Sequence, residues 1–281
     1  MAERNGSVVR RIQLGRALRE LREAAGLSVE VAAPRLDWSS SKLSRIENGQ
    51  QAVDVHGVRS MLDLYGVGGK RWTELIELTR QTRQKGWWRA YGLDDLGYVP
   101  LETEASMVRD FTLTYVPGLL QTADYARALF RSDLRRRTQA EVENAVTVRT
   151  IRARRLTAET APLELAAIVD EAVLHRPVGG PAVLRAQLAH LVRAAALPTV
   201  TLQVLPRALG AYPGMSAAFA VLSFGDLGVA DMAYVEHPVG AVHIDKEADV
   251  ARARLLFDHL RSLALSPGDS VALIERVAGQ T

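Results

Sequence analysis

Two glycines, Gly26 and Gly49, bracket a stretch in which a serine stands before each of two short helical patterns, and this spacing leaves the chain few ways to fold. Leu14, Leu18 and Leu21 recur at i, i+4 and i+7, with Ala17, Ala24 and Ala25 on adjoining faces, so residues near 10–25 read as an amphipathic helix. Gly26 follows where a left-handed C-terminal cap would want it. Ser28 then offers an N-cap to a short second helix ending near Leu36, with Glu30 in its first turn and Pro34 late enough to loosen its last. Asp37–Trp38 makes a turn, and Ser39 caps a third helix running to about Asn48–Gly49. Leu43 and Ile46 face inward, which leaves Ser40, Ser41, Lys42, Ser44 and Arg45 outside, with no carboxylate before Glu47. Small hydroxyls, cations and no negative charge are what a helix laid in a major groove needs. Two short helices joined by a tight turn under a preceding helix describe a helix-turn-helix.

The string SVEVAAPRLDWSSSKLSRIENG resembles the Xre/Cro-type repressor family, and the likeness covers about residues 10–66. Ser28 matches at the opening of the second helix, Ala33 at a small helix–helix contact, Ser39 at the opening of the third, and Leu43–Gly49 at its close. The resemblance implies that the third helix reads DNA, with Ser40, Ser41 and Arg45 at base-reading positions. It also implies a structural ion pair between Arg22 and Glu47. The expected DNA-contacting set is Ser39, Ser40, Ser41, Lys42, Ser44 and Arg45. A guanidinium can fork onto guanine O6 and N7, and it can equally clamp a phosphate; both readings of Arg45 stay open, base readout being favoured. Lys42 is expected on phosphate. Trp38 invites a base-stacking role, but a half-buried turn aromatic is the simpler reading. The chain departs from the family at Val29, where a phosphate-touching Gln is common, and at Asp37, where Gly is common. Asp tolerates an unusual backbone conformation through local hydrogen bonds.

Asp54 begins a fourth helix reaching Tyr65–Gly66, and a fifth runs near Lys70–Lys85. Charge separates this front from the rest. Residues 1–90 hold 16 Lys+Arg against 10 Asp+Glu (+6), and residues 91–281 hold 19 against 22 (−3), summing to the chain's +3. A basic front suits a polyanion. The run Gly86–Trp87–Trp88–Arg89–Ala90–Tyr91–Gly92 reads as a hinge pinned by apolar burial, with nucleic-acid or ligand contact as the alternative. The expected division is a helix-turn-helix domain over 1–85, an aromatic linker over 86–98 and an α+β domain over 99–281.

In that second part the pattern predicts helices over Glu102–Arg109, Thr122–Arg131, Ala140–Leu156, Pro181–Ala196, Glu247–Leu265 and Asp269–Ala278. Strands are expected at Asp110–Val116, Leu163–Val169, Val200–Leu205, Ala218–Phe224, Asp231–Glu236 and Val239–Ile244. Short connections between the late strands predict a small, largely antiparallel sheet, and the fold class is α+β. The segments VPGLLQTADYAR, VDEAVLHRPVGG, VTLQVLP and YPGM (Val116–Arg127, Val169–Gly180, Val200–Pro206, Tyr212–Met215) resemble a domain of unknown function that follows Xre-type helix-turn-helices in many actinobacterial regulators and is often described as antitoxin-like. That likeness implies a very small protein, encoded nearby, as partner.

Asp170, Glu171, His175, Arg176, His237 and His243 could in principle share acid–base work or hold a metal, but their spacing matches no metal signature, and the chain has no G-x-S-x-G, P-loop or G-x-G-x-x-G after a strand. Zero cysteines exclude disulfides and thiolate chemistry. No stretch of about 18 apolar residues occurs, and Met1–Arg11 is polar, so no membrane span or secretory leader is expected and the chain reads as cytoplasmic. The expected function is a sequence-specific transcription regulator, not an enzyme, without cofactor. Its partners would be double-stranded DNA, a second copy through the C-terminal domain, and a small protein. The alternative is a C-terminal domain that senses a small-molecule effector through a cleft lined by Arg176, Tyr212, His237 and His243. A helical front used for protein contacts, or an enzyme tethered to DNA, are readings from other classes.

Overall fold

The computed structural model describes residues 8–83, 86–93, 97–134, 136–237 and 239–281. The expected end of the fifth helix at Lys85, residues 94–96 of the aromatic linker and the first seven residues lie outside that set. The chain forms two compact units, one reaching Glu104 and including the short piece Asp226–Val229, the other comprising Ala105–Gly225 and Ala230–Thr281.

The first unit is helical: α1 (Val8–Ala24), α2 (Val29–Arg35), α3 (Ser40–Glu47), α4 (Val55–Leu64) and α5 (Gly69–Gln81), then a 3-10 turn at Trp87–Tyr91 and α6 (Tyr98–Glu104). Its core gathers Leu14 and Leu18 of α1, Ala32 and Ala33 of α2, Leu43 and Ile46 of α3, Met61 and Leu62 of α4, and Leu75 and Ile76 of α5. Gly26 takes φ 70° and ends α1, as its position predicts. Asp37 takes φ 56° in the turn between α2 and α3, the left-handed conformation that Asp tolerates better than most. Ser28 occupies the N-cap position of α2, but its hydroxyl makes no capping hydrogen bond. In the aromatic run Trp88 is fully buried and meets Trp87 edge-on at 6.2 Å. It is a packing residue, closed to stacking by bases.

The second unit is built on β1 (Met107–Thr112), β2 (Glu164–Asp170), β3 (Val200–Leu205), β4 (Phe219–Ser223), β5 (Met232–His237) and β6 (Gly240–Ile244). They form one six-stranded sheet in the order β3-β2-β1-β4-β5-β6. This corrects the expected small, largely antiparallel sheet: β1, β2 and β3 run parallel, and only β1–β4–β5–β6 is antiparallel. Parallel neighbours need long crossovers, and α7 (Ala123–Arg131) with α8 (Gln139–Ala153) carries the first, α9 (Ala172–His175) with α10 (Pro181–Ala195) the second. The helix expected over 102–109 ends at Glu104, and the strand expected over 110–116 begins earlier, at Met107. Arg109 and Asp110 make this central strand look unlike one, yet Arg109 donates to Ser223 Oγ on β4 at 3.1 Å, so its polar group is satisfied within the sheet.

The helix α11 (Glu247–Leu263) lays Val250, Phe257 and Leu260 on one sheet face, against Phe111, Ile168 and Val221. The chain then turns into α12 (Pro267–Gln280), and the junction meets the outer edge of β3 at Val204. There the Val204 N–H donates to the buried Ser270 Oγ at 3.0 Å, and the Val204 carbonyl accepts from the Leu265 N–H at 2.9 Å.

Candidate nucleic-acid interface

The third helix starts where Ser39 Oγ accepts the Lys42 N–H at 3.2 Å, a cap worth about 1 kcal/mol. At 100° per residue Ser40, Ser44, Asn48, Ser41 and Arg45 fall on one arc. Ser40, Ser41, Arg45 and Asn48 are exposed and Ser44 half-buried. Leu43 and Ile46 face away from this arc, and Glu47, next to Ser40 on the helix, is buried with them. One side chain bridges the arc internally: Asn48 Nδ2 donates to Ser44 Oγ at 3.3 Å.

Arg45 lies in the open, and its Nε donates to Gln51 Oε1 at 3.1 Å, while its carbonyl accepts the N–H groups of Gln50 and Gln51. The turn after the helix thus holds the guanidinium by one edge and leaves its terminal nitrogens to a ligand. Lys42 is half-buried because its stem crosses the turn and its Nζ sits 4.1 Å from the centroid of the Trp38 ring. Trp38 is itself half-buried against the core. Its indole face is occupied by the protein's own cation, which leaves no free platform for a base.

Glu47 is the sole carboxylate on α3, and it is turned away from the exposed arc. Arg22 and Glu47 are brought together in a buried fork: Nε to Oε1 at 2.7 Å and Nη2 to Oε2 at 2.9 Å, with Nη1 donating to the Leu27 carbonyl at 2.7 Å. The hydrogen bonds that Arg22 donates to Glu47 hold its guanidinium above its ordinary pKa. Burial pushes the nearby Tyr65 phenol up, and the charge of Glu47 adds to the shift. The fork joins α1 to α3 and keeps the Glu47 side chain buried, away from a ligand on the exposed arc.

Two close approaches fix the same junction. A Cβ on Gly15 would meet the Glu47 carbonyl oxygen at 2.5 Å and that of Ile46 at 2.6 Å. Gly49, at φ 69°, packs its backbone against Ile12, where a Cβ would stand 2.8 Å from Cα. The C-terminal end of α3 can lie this close to α1 only because both positions lack a side chain. Sequence reasoning missed Asn48 and Gln51, which stand at and beyond the helix end. The amide chemistry of Asn48 and Gln50–Gln51, directly after an apolar-facing helix, was the available signal.

Of the acids and histidines of the second unit, Asp170, Glu171 and His175 gather at the end of β2, apart from His237 and His243. Asp170 Oδ1 accepts the Ala172 N–H, and Asp170 Oδ2 accepts the Tyr212 hydroxyl. Glu171 accepts the Arg207 N–H at 2.8 Å, with Arg207 Nε at 3.1 Å and His175 Nε2 at 3.4 Å. These contacts tie the loop after β3 to the end of β2. Tyr212 packs on Phe111, on the sheet face that α11 covers, whereas His243 stacks on Tyr234 at 5.2 Å on the other face. His237 sits opposite Gly240 at the hairpin end. The cleft expected from Tyr212, His237 and His243 together with Arg176 is not formed, because Tyr212, in the loop before β4, packs on the face that α11 covers, whereas alternation along β6 turns His243 to the other.

Two family models match the chain. One, described as a helix-turn-helix domain, covers residues 13–75, and the other, described as a domain of unknown function (DUF5753), covers residues 97–276. No curated protein and no solved structure matches it. Among the described residues no helix is long and apolar enough to cross a membrane.

Proposed function

The chain belongs to the DUF5753 family, and from that premise together with its N-terminal helix-turn-helix domain we propose that it is a sequence-specific transcription regulator of the Xre type. One observation carries the reading: the exposed arc of α3 presents hydroxyls, an amide and a guanidinium, while its single acid is paired out of reach. Such a surface can approach phosphates without repulsion and offer donors to base edges. Ser40, Ser41, Ser44 and Arg45 would face bases. Lys42, held over Trp38, and Ser39, whose hydroxyl proton is still free to donate after capping, would take phosphates. Asn48 joins this set, since an amide can pair with adenine N6 and N7.

The regulator would bind as a homodimer, its two reading helices entering half-sites about 10 base pairs apart or a multiple of that. The C-terminal domain would receive a small protein partner. The six-stranded sheet supports this part, since it gives the domain a broad framework on which a partner could dock. A footprint with the purified protein on genomic DNA tests the proposal. Two protected half-sites, with at least a thousandfold preference over random duplex, are expected. Equal binding to specific and random duplex would overturn it. Mass measurement of the protein isolated from its native cells tests the partner: the added mass of a small chain is expected, and a mass accounted for by this chain alone argues against it.

A further inference from the structure

The two edges of the sheet are finished differently. On β3 the α11–α12 junction satisfies both the N–H and the carbonyl of Val204. On β6 nothing among the described residues hydrogen-bonds the outer side, and Gly240–His243 are exposed. Proteins usually blunt such an edge with lysine, proline or a bulge. The strand Gly-Ala-Val-His-Ile has none of these and pairs with β5 without interruption.

Register shows which backbone groups are open. The β5–β6 hairpin closes on His237 opposite Gly240, two positions of sequence separating them. In such a hairpin the closing pair is hydrogen-bonded, and bonded pairs alternate along the ladder. Gly240, Val242 and Ile244 therefore turn their N–H and carbonyl groups to β5, and Ala241 and His243 turn theirs outward. The 5.2 Å approach of the Tyr234 and His243 rings agrees, since side chains come closest across a non-bonded pair.

We propose that β6 is the dimer interface, pairing antiparallel with β6 of a second copy about a two-fold axis through Val242. A strand with outward groups at Ala241 and His243 is complementary to itself in this register. Ala241 of one copy lies opposite His243 of the other, and each such pair exchanges both N–H···O=C bonds. Val242, 47% exposed, meets its own copy at the axis, where the non-bonded geometry brings side chains nearest. No charged residue of β6 falls opposite a like charge, because β6 carries no carboxylate, lysine or arginine. The seam is short, so the dimer is a weak one, below the area of a standard interface, and two linked half-sites on DNA would reinforce it by effective concentration. The inference deepens the regulator reading by naming its dimer face, although the openness of the edge does not depend on DNA.

Sedimentation of the full chain between about 1 and 100 μM, without DNA, tests it; in this range a weak dimer fills measurably. Wild type is expected to pass from monomer to dimer. Val242→Lys, which sets like charges across the axis, and Ala241→Pro, which removes an outward N–H, should each raise the dimer dissociation constant about tenfold or more. Leu255→Lys, an exposed change on α11, should leave it unaltered, and circular dichroism with a thermal melt should show all variants folded. Wild type that stays monomeric throughout, or a dimer unmoved by both edge variants in their folded state, overturns the proposal; the first outcome would leave the edge to a strand of another protein. Binding to a duplex with a single half-site, measured in parallel, separates the two readings. Edge variants that still bind it while losing the dimer support both, and a wild-type dimer with no half-site preference retains the edge while removing the regulator.

Discussion

Arg45 is held at Nε by Gln51 and left open at its two terminal nitrogens, an orientation suited to forked hydrogen bonds. Replacing it with alanine is expected to relax specificity at one base pair per half-site by about 1–3 kcal/mol, with other positions unaffected. Lys42→Ala, by contrast, should weaken every sequence alike and lower the salt slope by about one. Titrations on base-substituted duplexes at two salt concentrations distinguish the two effects. A uniform loss for Arg45→Ala would assign its guanidinium to phosphate. The buried fork of Arg22 and Glu47 makes a different demand. Glu47→Gln leaves the guanidinium buried beside a neutral group, and breaking such a pair costs about 3–5 kcal/mol. A denaturant melt should register that loss, whereas Arg19→Ala, whose pair with Glu23 is exposed, should change stability by less than about 1 kcal/mol.

At the scale of elements, the contact of α1 with α3 sets where α3 lies. Gly15→Ala places a methyl group against two backbone carbonyls that cannot rotate away, so α3 must shift. A cost of about 1–3 kcal/mol in a thermal melt is expected, together with weaker DNA binding although no DNA-facing side chain is altered. In the second unit, burial pushes the Glu171 carboxyl up, but the Arg207 N–H, His175 and the Arg207 guanidinium outweigh it and hold the group below its ordinary range. A carboxylate depressed in the folded state contributes stability that is present above its unfolded value of about 4.3 and is lost as pH falls through the folded value. Urea melts between about pH 6 and 3 should show this acid limb, and Glu171→Gln should flatten it. The helical unit was legible in sequence because its signals are local: a leucine repeat, Gly26, Ser39 and Asp54 each act within a few residues. The central strand β1 was not, because its identity depends on partners far along the chain, Glu164–Val169 on one side and Phe219–Ser223 on the other. The exposed arc of α3 was legible as far as Arg45, where periodicity ends. Gln51, which restrains that arginine, lies beyond the helix, where periodicity makes no prediction.

For the whole molecule, the unequal edges decide what an assembly of copies can become. A surface that pairs only with itself is used up once two copies meet, and a surface that pairs with a different one passes the opportunity on to the next molecule. Were the outer side of β3 as bare as that of β6, the second kind of contact would be open, and strands could add end over end without limit. Ser270 and Leu265 occupy that position first. Sedimentation at the highest attainable concentration is therefore expected to reach the mass of two chains and stop, with no larger species. A small hydroxyl, folded back from the last helix, thus closes the Val204 N–H to such a neighbour.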